Sequence, residues 1–229
     1  MAEDRGIMET LDVEEEVRLA ADGVTLVGDL ALPVGAEGVI LFAHGSGSSR
    51  HSPRNRKVAR ALRASGLGTL LIDLLTPGEE AEDAATGRLR FDIGLLARRL
   101  GAVTRWLQEE RSTAGRPVGY FGASTGGGAA LVAAADHGEV FAVVSRGGRP
   151  DLAGTALPRV TAPTLLIVGG DDVPVIAMNR AAAASMRAEV RLEIVPGATH
   201  LFEEPGALER VAALAAAWFG DHLPSDDAA

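Results

Sequence analysis

Tyr120-Phe121-Gly122-Ala123-Ser124-Thr125-Gly126-Gly127-Gly128-Ala129-Ala130 decides how the chain is read. Its first part is apolar and strand-like; its last part is small and suits a helix. Ser124 between them has a glycine two residues to each side, the G-x-S-x-G pattern of a nucleophile elbow. A serine on so sharp a turn takes a strained backbone, and side chains beside it would collide as the helix doubles back over the strand. The turn lifts the hydroxyl clear of the sheet. It also aims a helix N-terminus at it, with free N–H groups and positive dipole for a developing oxyanion. A glycine-rich turn that binds phosphate, or merely packs closely, reads the same over five residues. The rest of the chain must therefore supply a histidine, an acid and a second oxyanion donor, in a workable order.

On the N-terminal side, residues 38–43 are a continuous apolar run, as in a strand buried on both faces. It ends in His44-Gly45-Ser46-Gly47-Ser48-Ser49. Before it, residues 14–20 and 24–32 alternate polar and apolar, and Asp22-Gly23 between them signals a hairpin. After it, strands are expected at 68–73, 117–121, 140–144, 163–168 and 190–195. Helices are expected from Pro53 to a stop at Gly66, and over 91–110, 124–137, 175–187 and 205–219. Residues 76–90 are polar and rich in glutamate and glycine, which predicts a long loop. Residues 1–12 and 224–229 are expected to be flexible tails around a single domain, 1–229. Strands alternating with helices predict an α/β fold: a mostly parallel sheet with helices on both faces. No insertion large enough for a cap domain follows residue 144.

Composition removes several function classes. A chain of 229 residues suffices for one α/β domain with a sizeable core. The net charge of −9 argues against nucleic acid as a partner. Zero cysteines exclude disulfides, cysteine metal sites and a cysteine nucleophile together. No metal or other cofactor is expected. Residues 1–16 are acidic without an apolar segment, and no run of about 18 apolar residues exists to cross a membrane. A cytoplasmic protein with no membrane partner is the default expectation; a homodimer is left open.

In an open parallel sheet, ligands collect at the carboxyl ends of the strands. Ser124, Asp172 and His200 each follow a strand there. A serine hydroxyl needs a base to act as nucleophile at neutral pH. His200 follows the last strand and Gly197, whereas His222 is read as surface beyond the last helix, and His137 beside Gly138 as a helix-terminal histidine. The imidazole needs a carboxylate to hold its tautomer. Asp172 fits the Gly169-x-x-Asp172 spacing, with its neighbour Asp171 the alternative; Asp73 reads as a cap for the loop after its own strand. The expected oxyanion donors are the backbone N–H groups of Thr125 and Ser46. His44 is read as organising its loop at the substrate side.

At this point the chain resembles an α/β-hydrolase, and within that superfamily the small dienelactone-hydrolase-like proteins. The resemblance rests on residues 42–48 (Phe-Ala-His-Gly-Ser-Gly-Ser), 122–128 (Gly-Ala-Ser-Thr-Gly-Gly-Gly), Gly169-x-x-Asp172 and residues 197–200 (Gly-Ala-Thr-His), in the order serine, acid, histidine. It implies an eight-stranded sheet and hydrolysis through an acyl-enzyme. Dienelactone hydrolase itself uses a cysteine where this chain has Ser124, so the resemblance implies a serine carboxylesterase or lactonase acting on a small ester or lactone.

Arg50, His51, Arg54 and Arg56 follow the oxyanion loop, and Arg146 and Arg149 follow the strand after the elbow helix. Basic loops at the active-site end of an acidic protein could attract an anionic substrate. Of these, Arg50, Arg54, Arg146 and Arg149, with His44, are the candidate substrate-binding residues. The alternative is solvated arginines paired with Glu79, Glu80 or Glu82. The same triad could serve an acyltransferase or perhydrolase. Two further alternatives are a non-catalytic binder of the same fold and a hydrolytic module working beside a phosphoribosyltransferase domain.

Overall fold

A computed structural model describes residues 11–224. The chain opens with an antiparallel hairpin of β1 (Leu11–Ala21) and β2 (Val24–Pro33). Its turn residues Asp22 and Gly23 both have positive φ, 48° and 83°, as a two-residue hairpin needs. The strands β3 (Val39–Ala43), β4 (Gly68–Ile72), β5 (Val118–Ala123), β6 (Val143–Arg146), β7 (Thr164–Gly169) and β8 (Val190–Val195) then run parallel. The eight strands form one sheet in the order β1-β2-β4-β3-β5-β6-β7-β8. The expected tail over residues 1–12 is corrected at its end: β1 begins at Leu11. Residues 1–10 and 225–229 lie outside the described residues.

Helices cover both faces, which is why the central strands β3 and β5 are buried at every position. On one face, α1 (Pro53–Ala64) and α6 (Ala207–His222) pack on Ile40, Phe42, Phe121 and Val144. On the other, α3 (Ile93–Glu109) and α4 (Thr125–Asp136) pack on Leu41, Tyr120 and Val143. The connection from β6 to β7 is only a 3-10 segment, Pro150–Arg159, so no cap domain stands there. His222 is a further correction. It lies in the last turn of α6, its Nδ1 2.8 Å from the Trp218 carbonyl.

The largest difference from the sequence prediction is at 76–90. A helix, α2 (Pro77–Thr86), replaces the expected loop. Its start is a capping box: Thr76 Oγ1 accepts the Glu79 N–H at 3.2 Å, and the Glu79 carboxylate accepts the Thr76 N–H at 2.8 Å. The T-x-x-E spacing with Pro77 at the first helical position was present in the sequence, hidden under polar composition. Glu79 also anchors the helix to the body. Arg99 of α3 is 2% exposed, donates to Glu79 at 2.8 Å, and donates to the Leu74 carbonyl at 2.6 Å.

That ion pair makes the seating of α2 depend on pH. Hydrogen bonding from Arg99 holds the Glu79 carboxyl below its ordinary value of 4.5. A carboxylate with a lowered folded-state value adds stability above that value and loses it as pH falls through the acid range. Glu79→Gln should therefore cost about 2 kcal/mol near neutral pH, or roughly 4–8 °C in Tm. Thermal melts from neutral pH into acid should show the two proteins converging. A gap that persists below the carboxylate range would refute the linkage.

Candidate active site

The elbow has the strain its glycines predict. Ser124 sits at φ 50°, ψ −121°, a region that non-glycine residues rarely enter. Its N–H donates to the Arg146 carbonyl at 3.2 Å, and its own carbonyl accepts from Gly127 and Arg149, both at 3.0 Å. Its side chain caps nothing in α4. Gly126 lies against β3: a methyl group built on it would stand 2.5 Å from the His44 carbonyl oxygen and closer still to that of Ala43. Gly126, Gly127 and Gly128 make close approaches in turn to β3 and the start of the loop after it, to Ser145 and to Arg149.

Asp172 and His200 come together across two stitched loops. Gly170 N–H donates to the Val195 carbonyl at 2.8 Å, and Asp171 N–H to the Ala198 carbonyl at 3.0 Å. This places Asp172 Oδ2 2.6 Å from His200 Nδ1, while Asp171 points to solvent. Asp172 occupies the N-cap of α5 (Val173–Ser185) but makes no capping bond; its carboxylate goes to the imidazole instead. With Nδ1 so engaged, Nε2 is left for a reacting group. The imidazole neighbours the elbow. His200 packs against Gly147, the residue after Arg146, whose carbonyl holds the Ser124 N–H. Among the described residues, no hydrogen bond joins Ser124 Oγ to the imidazole.

On the other side of the elbow, the loop after β3 bends over the start of α4. Ser46 N–H donates to Thr125 Oγ1 at 2.8 Å. The Leu74 N–H donates to His44 Nε2 at 3.1 Å, which leaves the proton on Nδ1, directed to the Gly45 carbonyl at 3.0 Å. His44 thus ties the loop to the end of β4, with both ring nitrogens committed. A cavity of about 540 Å³ opens there, walled by the loop 44–49, Arg54, Leu74, Leu75, Leu96 and Thr125, with Glu80 and Asp83 of α2 as its outer side.

The basic residues separate into two groups. Arg50 is held by Asp73, by Asp29 at 3.1 Å and by Glu16 at 3.0 Å, so it braces the loop against the hairpin. Asp73 serves Arg50, not the loop after β4, which corrects its expected role. Arg149 makes two bonds to Asp151, at 2.8 and 2.7 Å. Arg54 reaches Glu203 at 2.9 Å. None of these partners is Glu79, Glu80 or Glu82. Arg146 differs. It is 7% exposed and has no carboxylate partner among the described residues; it donates to Asn55 Oδ1 at 3.4 Å and lies over the Phe202 ring, 6.0 Å from its centroid. Its Nε and Nη1 and the Arg54 Nε are buried without a protein partner. Burial, and the charge of Arg54 beside it, lower the Arg146 guanidinium to about 10, so it stays cationic at neutral pH.

An eight-stranded, mostly parallel sheet with helices on both faces and a serine at a strand-to-helix elbow is an α/β-hydrolase. The dienelactone hydrolase family profile matches residues 27–220, and the chain belongs to that family. It is similar to the crystal structure of a dienelactone hydrolase from Anabaena variabilis, with 61% identity and a TM-score of 0.90, covering 93% of this chain and 99% of that one. It shares its fold with Est1E from Butyrivibrio proteoclasticus at 16% identity and a TM-score of 0.75, covering 90% of this chain and 98% of that one. It is also 59% identical, over 211 residues, to a Mycobacterium tuberculosis H37Rv protein provisionally named a phosphoribosyl transferase. That match covers 92% of this chain and 47% of the relative, so the chain spans about half the relative's length. No helix among the described residues is long and apolar enough to cross a membrane.

Proposed function

We propose that this chain is a serine hydrolase that cleaves carboxylic esters or lactones through an acyl-enzyme. The observation that carries the reading is the 2.6 Å Asp172–His200 hydrogen bond beside the strained Ser124 elbow. His200 Nε2 takes the Ser124 proton as Oγ attacks the carbonyl carbon. Asp172 stabilises the imidazolium without itself being protonated. The Thr125 N–H and the loop bearing Ser46 face the oxyanion. His200 then protonates the leaving alcohol, and later deprotonates the water that releases the acid. A fluorophosphonate probe should label the purified protein at Ser124, and a panel of esters graded by acyl and alcohol size should show which are turned over. An unlabelled, inactive protein would favour a non-catalytic binder.

The name carried by the longer relative belongs to that whole protein. This chain's own elbow, acid and histidine are groups for acyl transfer. A hydrolytic module working beside a second activity fits that length.

Arg146, with no carboxylate partner among the described residues, supports an anionic group on the substrate. A buried guanidinium without a carboxylate favours an incoming anion, because its desolvation is already suffered in the free protein. Arg54 stands beside it and lines the cavity. Carboxylate-bearing esters should be preferred over neutral analogues, and added salt should erode the preference. In Arg146→Met, KM for the anionic ester should rise about tenfold, the loss of roughly one charged hydrogen bond, with the neutral ester little changed. Equal loss on both esters would refute the assignment.

A further inference from the structure

We infer that the second donor to the oxyanion is the Thr125 side-chain hydroxyl, with the Ser46 N–H acting through it. This rests on the acyl-enzyme reading and replaces one part of it. A backbone N–H carries one proton. That of Ser46 points at Thr125 Oγ1, 2.8 Å away, so the donor expected from the loop is already spent. A hydroxyl that accepts one bond still has its own proton to give. Among the described residues, no acceptor receives the Thr125 proton. Yet the residue is 2% exposed and lies in the wall of the cavity. Buried hydroxyl protons rarely go without an acceptor. A substrate carbonyl oxygen seated in the cavity is an acceptor that completes the set.

The arrangement also favours a strong donor. Donation from Ser46 polarises the Thr125 O–H bond, since chained hydrogen bonds strengthen one another. Thr125 is the first residue of α4, so its backbone N–H is one of the helix's unpaired donors. One residue therefore presents two donors beside the nucleophile. In the reaction, the Ser124 Oγ–C bond forms, the carbonyl π pair moves onto oxygen, and the Ser124 proton goes to His200. Thr125 donates a hydrogen bond to that oxygen and keeps its proton. When the intermediate collapses, the carbonyl reforms and the alcohol leaves with the His200 proton. The elbow pattern leaves the position after serine free, so nothing in G-x-S-x-G singles out a hydroxyl there.

The test compares Thr125→Val, Thr125→Ala and Thr125→Ser on p-nitrophenyl acetate, with folding checked by thermal melts. Thr125→Val removes the hydroxyl, keeps the branched shape and frees the Ser46 N–H. It should lower kcat by about 10²–10³-fold with KM little moved, the loss typical of one oxyanion donor. Affinity for a trifluoromethyl ketone, whose adduct carries the oxyanion, should fall in parallel. Thr125→Ser keeps the donor on a freer rotor and should recover the rate to within about tenfold of wild type. If the valine protein does not fold, the alanine variant carries the same expectation. Wild-type or faster turnover in a folded valine or alanine variant would overturn the inference and return the role to the Ser46 N–H. In that outcome, loss of activity in Ser124→Ala would leave the acyl-enzyme reading standing. Undiminished activity in Ser124→Ala would bring both down.

Discussion

Ser124→Ala is expected to lower ester turnover by as much as about 10⁶-fold, to the level left when only the surrounding donors and substrate binding remain. It should also abolish fluorophosphonate labelling. The fold should survive. The serine side chain makes no capping bond in α4, and the bonds that hold the turn run through backbone atoms: its N–H to Arg146, and its carbonyl to Gly127 and Arg149. Alanine has the same backbone preferences and fits the same space. The melting temperature should therefore stay close to wild type while kcat collapses. A folded alanine protein retaining a hundredth or more of the wild-type rate would show that another group attacks the ester. The separation of the two readouts is what gives the experiment its force, since a misfolded variant would lose both together.

Gly126→Ala is expected to fail for the opposite reason, through packing. The added methyl would meet the carbonyl oxygens of Ala43 and His44, which are backbone atoms at the end of a buried strand and cannot rotate away. Either α4 lifts from the sheet or β3 and its loop shift. Overpacking of this kind typically costs 1–3 kcal/mol and more where backbone must move, so a loss of about 3 kcal/mol, or roughly 6–12 °C in Tm, is expected. Because Ala43 and His44 lead into the loop bearing Ser46, surviving folded protein should also lose activity. Gly115→Ala, in a loop where nothing lies within 4 Å of the added carbon, is the control for ordinary backbone cost, although its positive φ of 81° makes that cost real. If Gly126→Ala melted no lower than Gly115→Ala, the close approach would not be limiting.

Much of this arrangement was legible in the sequence, and for identifiable reasons. The buried strands read as unbroken apolar runs because helices cover both faces. The elbow read correctly because its glycines answer a local steric need. The juxtaposition of Asp172 with His200 was legible because both follow parallel strands that end on one side of the sheet, a property of topology. What failed depended on tertiary partners. α2 is polar along its length, and its capping box, although spelled Thr76-Pro77-Gly78-Glu79, gains its support from Arg99 on another helix. The five arginines and one histidine near the loops looked alike in sequence. Arg50 finds its carboxylate partners 21 and 34 residues away in the hairpin, while Arg146 finds no carboxylate among the described residues. No spacing rule separates those two cases. The Thr125 hydroxyl was hidden in another way, because the chemistry of its position is written on the backbone and its side chain was free to be anything small.

The torsion at Ser124 has a consequence for anyone who diversifies this protein by random mutagenesis. At φ 50° the turn suits glycine better than any residue with a side chain. Serine there holds the chain in a less comfortable state than glycine would. A library ranked by heat resistance alone therefore drifts toward discarding the proposed nucleophile, and rising melting points in such a lineage are a reason to assay for silent loss of activity through this residue.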